Sequence, residues 1–109
     1  MLNSINSASS ALRAYTEVLN TSARNVANIN TEGYTPQRTR LSEGSSGVRA
    51  TVESVPRTVN TVNNVNNVSK VDYASEAVEQ IISLRAFEAN ASVIRTADEM
   101  LGSLINIIT

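Results

Sequence analysis

From Val71 to Ile107 the sequence carries an unbroken succession of apolar residues three or four positions apart: Val71, Ala74, Val78, Ile82, Ala86, Ala89, Val93, Ala97, Met100, Leu104 and Ile107. That spacing averages the helical period. Asp72 or Ser69 is placed to cap the first turn, and Glu76 and Glu79 fall where they complement the helix dipole. At 1.5 Å per residue a helix over 72–107 would be about 54 Å long. A second stripe, Ile94, Leu101, Ile105 and Ile108, widens the apolar face toward the C-terminus. A helix apolar on two faces is either buried centrally or awaits partners. A chain of 109 residues has little else with which to cover it.

The N-terminal segment repeats every seven residues. Ile5, Leu12, Leu19 and Val26 fall on one line, and Ala8, Tyr15, Ser22 and Ile29 follow three residues later. This a/d pattern predicts a second long helix with a coiled-coil seam, although an amphipathic helix packed within its own domain has the same signature. Residues 5–29 would span about 37 Å, so an antiparallel partner over 72–107 would overhang it by roughly three turns. The overhang is the doubly apolar "EMLGSLINIIT", and an exposed apolar terminus marks a contact surface or an aggregation hazard.

After Pro36 the pattern changes to alternation. "QRTRL" and "VRATVESV" flank the polar loop "SEGSSG", with Val48, Ala50 and Val52 on one face and Arg49, Thr51 and Glu53 on the other. This predicts a β-hairpin in which Arg38 and Arg40 face Glu53 across the ladder. An isolated hairpin is barely stable, so another element must support it. In "VNTVNNVNNVSK", Val59, Val62, Val65 and Val68 recur at a period that suits neither helix nor strand, which predicts an extended linker. The fold expected is mainly α with a small β part. It comprises an axial helix in 1–33, a hairpin in 34–57, an Asn/Val linker in 58–71 and a second axial helix in 72–109, the two helices pairing antiparallel.

Composition removes most chemistry. The chain has no histidine and no cysteine, hence no disulfide, no thiolate or imidazole metal site and no Ser-His or Cys-His nucleophile. A net charge of −1 offers no general attraction to nucleic acid. No run is long and apolar enough for a membrane span, and the opening residues lack the basic and apolar regions of a cleaved signal peptide. Ser69-Lys70 adjacency does not aim one side chain at the other, Asp98 and Glu99 diverge on a helix, and Gly44 and Gly47 lack a strand-loop-helix setting. No catalytic residue, metal or cofactor is expected.

The exit of the first helix is unusual. "RNVANINTEGYTPQR" places Asn25, Asn28 and Asn30 where a helix should finish, although asparagine side chains compete for backbone groups. One reading is a helix C-terminus closed by Asn30 or Gly33 in the left-handed conformation. Another is a contact with a second chain, where amide donors and acceptors carry specificity.

"ARNVANINTEGYTPQRTRL" resembles the N-terminal signature of the bacterial flagellar axial proteins, the rod, hook and hook-associated subunits. Asn25, Val26, Ala27, Asn28, Asn30, Thr31, Gly33 and Tyr34 match it position by position. The C-terminal half resembles the matching signature of the same proteins, through Glu76, Val78, Ile82, Arg85, Ala86, Phe87, Glu88, Asn90, Thr96 and Leu101. The resemblance implies paired terminal helices that line an axial tube, and export by the flagellar type III apparatus without a cleaved signal. The short middle has no room for the large outer domains of hook and distal-rod proteins, which suggests a proximal-rod-like subunit.

The functional expectation is therefore a structural, non-enzymatic subunit of the flagellar basal-body rod, situated in the periplasm. Its partners would be other copies, neighbouring rod or hook-type subunits and the export apparatus. The assembly residues would be Asn25, Asn28, Asn30, Thr31, Gly33, Tyr34, Arg85, Glu88, Asn90, Thr96, Leu101, Leu104, Ile105 and Ile108. A helical adaptor or chaperone-like binding module forming a closed oligomer is the alternative.

Overall fold

Two helices and one hairpin follow each other along the chain: α1 (Leu2–Ala27), β1 (Gln37–Gly44), β2 (Gly47–Ser54) and α2 (Tyr73–Ile108). The structure is a computed structural model and describes residues 1–55 and 71–108. The linker expected over 58–71 lies outside the described residues except for Val71, as does the alternative cap Ser69. Asp72 caps α2, its Oδ1 accepting from the Ala74 N–H at 3.1 Å.

Ser22 and Asn25 near the end of α1 bond to Glu76 and Gln80 near the start of α2, and the two helices pack together, so they run antiparallel. The result is a rod-shaped chain of 74 × 24 × 15 Å with a radius of gyration of 19.3 Å. A compact domain of about 100 residues would have a radius of gyration of about 13 Å.

The central element is α1. It touches both the hairpin and α2, while among the described elements the hairpin and α2 do not touch each other. Its buried residues are Ala8, Ala11, Ala14, Val18, Thr21, Ser22 and Asn25. At about 100° per residue these occupy an arc of roughly 140°. Thr21 at one edge accepts from the Thr39 hydroxyl of β1 at 2.9 Å. Ser22, toward the other side, meets α2. Of the expected seam, Ala8 and Ser22 are buried, whereas Ile5, Leu12, Leu19 and Val26 are half-buried along its flank. The hairpin draws the covered arc away from them and onto small side chains that let backbones come close.

The hairpin lies along α1 with its tip toward the helix N-terminus. Strand β1 pairs antiparallel with β2, with Leu41 opposite Ala50 and Thr39 opposite Val52. Val48, Ala50 and Val52 alternate inward as their pattern predicts, while Arg49, Thr51 and Glu53 face out. Each strand has eight residues. Eight residues of strand, about 26 Å, are close in length to the helix from Ser10 to Asn25, about 24 Å. Thus α1 supplies the support that a lone hairpin lacks. The connection is tighter than the six-residue loop expected: pairing extends through Glu43 and Gly44 to Gly47, leaving Ser45 and Ser46 as the turn. Arg40 reaches Glu53 diagonally at 3.5 Å, an exposed pair of small energetic weight.

On α2 the structure corrects the expected core. The covered line is Glu76, Gln80, Ser83, Phe87, Asn90, Ile94 and Ala97, alternately four and three residues apart. The more apolar stripe is turned outward, with Val78 55% and Ile82 58% exposed. Glu76 accepts hydrogen bonds from Ser22 and Asn25 of α1, and Gln80 donates to Ser22; these bonds set the rotation, and the small side chains of α1 accept the polar part of the seam. Polar substitution at Val78 or Ile82 should therefore leave monomer stability nearly unchanged. Beyond Ala97 no residue of α2 is buried. The overhang covers 101–108, about two turns and not three, because α1 begins at Leu2 and covers one more turn than the heptads implied.

At the hairpin tip Gly47 has φ +116°, and a Cβ there would collide with the Ser10 hydroxyl, which itself accepts from the Val48 N–H at 2.9 Å. Gly47→Ala should destabilise the chain by about 2–3 kcal/mol, since both the strained backbone and the lost approach to α1 count against it. Urea unfolding measures this cost. Hydrogen exchange should locate the loss of protection in the hairpin before either helix.

Candidate assembly surface

The asparagine-rich exit of α1 is first of all an internal knot. Asn25 is 1% exposed, and its side chain makes four hydrogen bonds. Its Nδ2 donates to the Gln37 carbonyl at 2.7 Å and to Glu76 Oε1 at 2.9 Å. Its Oδ1 accepts from the Gln37 N–H at 2.9 Å and from the Tyr34 hydroxyl at 3.0 Å. Two donor hydrogens and two acceptor lone pairs are thereby all used. One amide joins α1, the loop, β1 and α2.

The loop that returns the chain to Asn25 is built locally. Asn28 caps α1 with φ −104°, so the helix does not close through a left-handed glycine. Asn28 Nδ2 donates to the Arg24 carbonyl at 2.8 Å, and its Oδ1 accepts from Thr31 Oγ1 at 3.1 Å. Gly33 does have the positive φ expected, +72°, but it serves the turn closed by the Tyr34 N–H and the Thr31 carbonyl, six residues past the helix end. That turn sends Tyr34 back to Asn25 and not out along the hairpin. Asn30, Thr31 and Gly33 remain exposed at this end of the molecule.

The C-terminal signature residues divide between the seam and the outside. Asn90 is half-buried on the α1 side and donates to the Ala86 carbonyl at 2.8 Å. Arg85 pairs with Glu88 at 3.0 Å on the exposed face, and Thr96 is exposed. Leu101, Leu104, Ile105 and Ile108 are all exposed, from 38% at Leu101 to 85% at Ile108. At about 100° per residue, these four lie within roughly 60° of the Ser83 direction. The overhang thus continues the face that docks on α1 to a level where α1 has ended. Sequence pattern alone did not reveal Ser22, Gln37 and Gln80 as structural polar groups. The only available signal was a serine at a seam position, which apolar counting treats as a weak site.

The sequence matches two family models at opposite ends. Residues 5–35 match "Flagella basal body rod protein", and residues 59–107 match "Flagellar basal body rod FlgEFG protein C-terminal". Together the matches span well over half of the chain. No curated protein matches it.

Asn25→Ala should leave the Gln37 amide and carbonyl, the Tyr34 hydroxyl and the Glu76 carboxylate short of a partner, at a cost of about 2–4 kcal/mol. Asn25→Asp, nearly isosteric, should cost at least as much, because it sets an acceptor against a carbonyl and a second carboxylate. Chemical denaturation of both variants tests the node. A cost below about 0.5 kcal/mol for each would show that the bonds carry no stability.

Proposed function

Because this chain belongs to the flagellar rod and hook-type axial proteins and has a structural role in the basal-body rod, we propose that it polymerises through its terminal helices into the periplasmic part of the axial tube. The observation that carries this reading is the apolar overhang of α2. Leu101, Leu104, Ile105 and Ile108 are exposed on the face that, lower down, is the intramolecular seam.

The mechanism is a division of labour. Small and polar groups hold the subunit together, and large aliphatic groups hold subunits to each other. Burying each of the four overhang residues would contribute about 1.5–3 kcal/mol at an assembled contact and almost nothing to the free chain. A repeated contact between unlike surfaces whose rotation does not close a ring gives an open series, as a tube requires. A closed dimer, expected of an adaptor, would instead pair like surfaces. Lack of cysteine suits passage through the flagellar export apparatus as an extended chain. Asn30, Thr31 and Gly33 at the opposite end are the signature positions that neighbouring subunits would read.

Leu101→Asp combined with Ile105→Asp should leave the helicity and melting of the purified chain within experimental error of the parent, while abolishing its incorporation into basal bodies and the motility of cells that depend on it. Circular dichroism, basal-body fractionation and a swimming assay read the three effects. Loss of monomer helicity with swimming intact would reassign these residues to the internal core.

A further inference from the structure

The large apolar side chains exposed on α2 fall into two groups at its opposite ends. Tyr73, Val78, Ile81, Ile82 and Leu84 occupy the first three turns; Met100, Leu101, Leu104, Ile105, Ile107 and Ile108 occupy the last. The stretch between them carries Arg85, Glu88, Arg95, Asp98 and Glu99, all exposed, with Val93 as the one large apolar side chain exposed among them. At about 100° per residue, Val78, Ile81, Ile82 and Leu84 lie on the half of α2 turned away from α1, as do Met100 and Ile107, whereas Leu101, Leu104, Ile105 and Ile108 lie on the half turned toward it. No residue from Met100 to Ile108 is charged.

We propose that the overhang of one copy receives the first turns of α2 from a second copy of this chain, head to tail. The second copy's Val78–Ile82 region then takes the place on the seam that α1 leaves at Leu2. This rests on the reading of the chain as a rod subunit and specifies which surfaces of it meet. Three features select this occupant. The overhang continues an interface already built for a helix. Its uncharged surface accepts an apolar helix face, and the same chain carries such a face at its other end. The charged middle of α2 disfavours other registers, since sliding the overhang along it would cover ions with aliphatic carbon. Because the two surfaces differ, every joined pair still offers one of each, so the contact repeats, as an open helical series where its rotation does not close a ring.

The natural absence of cysteine makes the test direct. Ile82→Cys with Leu104→Cys places two thiols about 33 Å apart on one helix, far beyond the roughly 4.4–6.8 Å between Cα atoms that a disulfide spans. Any disulfide formed is therefore between chains. In cells carrying the double variant in place of the native chain, mild oxidation should give a ladder of dimers, trimers and higher species in the basal-body fraction. Each single variant should remain monomeric on a non-reducing gel. The more exposed pair Tyr73→Cys with Ile108→Cys should give the same ladder, and unchanged circular dichroism confirms that each variant folds. Dimers from either single variant would overturn the joint in favour of like-to-like pairing. Double variants that enter basal bodies yet stay monomeric would overturn the joint while leaving the rod reading intact. Absence of the native chain from basal bodies would remove both.

Discussion

Everything in the subunit's shape depends on the side-chain amide of Asn25. Three elements converge on it, and each brings a polar group that would otherwise be stranded: the Gln37 backbone, the Tyr34 hydroxyl and the Glu76 carboxylate. An apolar side chain of the same volume could fill the space but could not satisfy four groups in three directions. The amide therefore fixes where β1 starts along α1 and at what rotation α2 approaches. Ser22 repeats the device one turn earlier, donating to the Glu76 carbonyl while accepting from Gln80. Together these bonds turn Glu76 and Gln80 inward, and helical geometry then carries Val78 and Ile82 outward.

That rotation inverts the usual economy of a small protein. The intramolecular seam is lined mainly by small and polar side chains, with Val18, Phe87 and Ile94 as its larger apolar members, and most of the strong apolar residues of α2 are exposed. A seam of this kind positions helices closely but buries little hydrocarbon, so the free chain should sit at the low end of stability for its size. The apolar surface withheld from folding is available for association. Under the proposed assembly, a rod subunit would gain from that arrangement, since its large contacts would form only where neighbours are present.

The hairpin completes the subunit without competing for α2. It uses the other edge of α1, through Thr21 and Ser10, and its length is close to that of the helix segment beneath it. Glycine at position 47 is what lets its tip touch α1. With the hairpin on one side of α1 and α2 on the other, no described element covers the outer half of α2.

The sequence by itself determined the elements and the family. Apolar spacing over 71–107 required a long helix, heptads over 5–29 another, and alternation around "VRATVESV" a hairpin, because helix and strand periods are local properties of the chain. The two signatures at its ends determined the flagellar axial family, and the overhang followed from helix lengths alone. Which face of α2 is internal was decided only by the tertiary structure. Apolar counting selected Val78 and Ile82 as core, since hydrophobicity measures how much a residue gains from being covered and not what covers it. A few directional bonds to Ser22 and Asn25, made between residues more than fifty positions apart, outweighed that stripe. The cap of α1 was decided in the same way. Gly33 carried the positive φ that its type suggests, but the helix had already ended at Ala27, where Asn28 could bond to Arg24 and Thr31 at once.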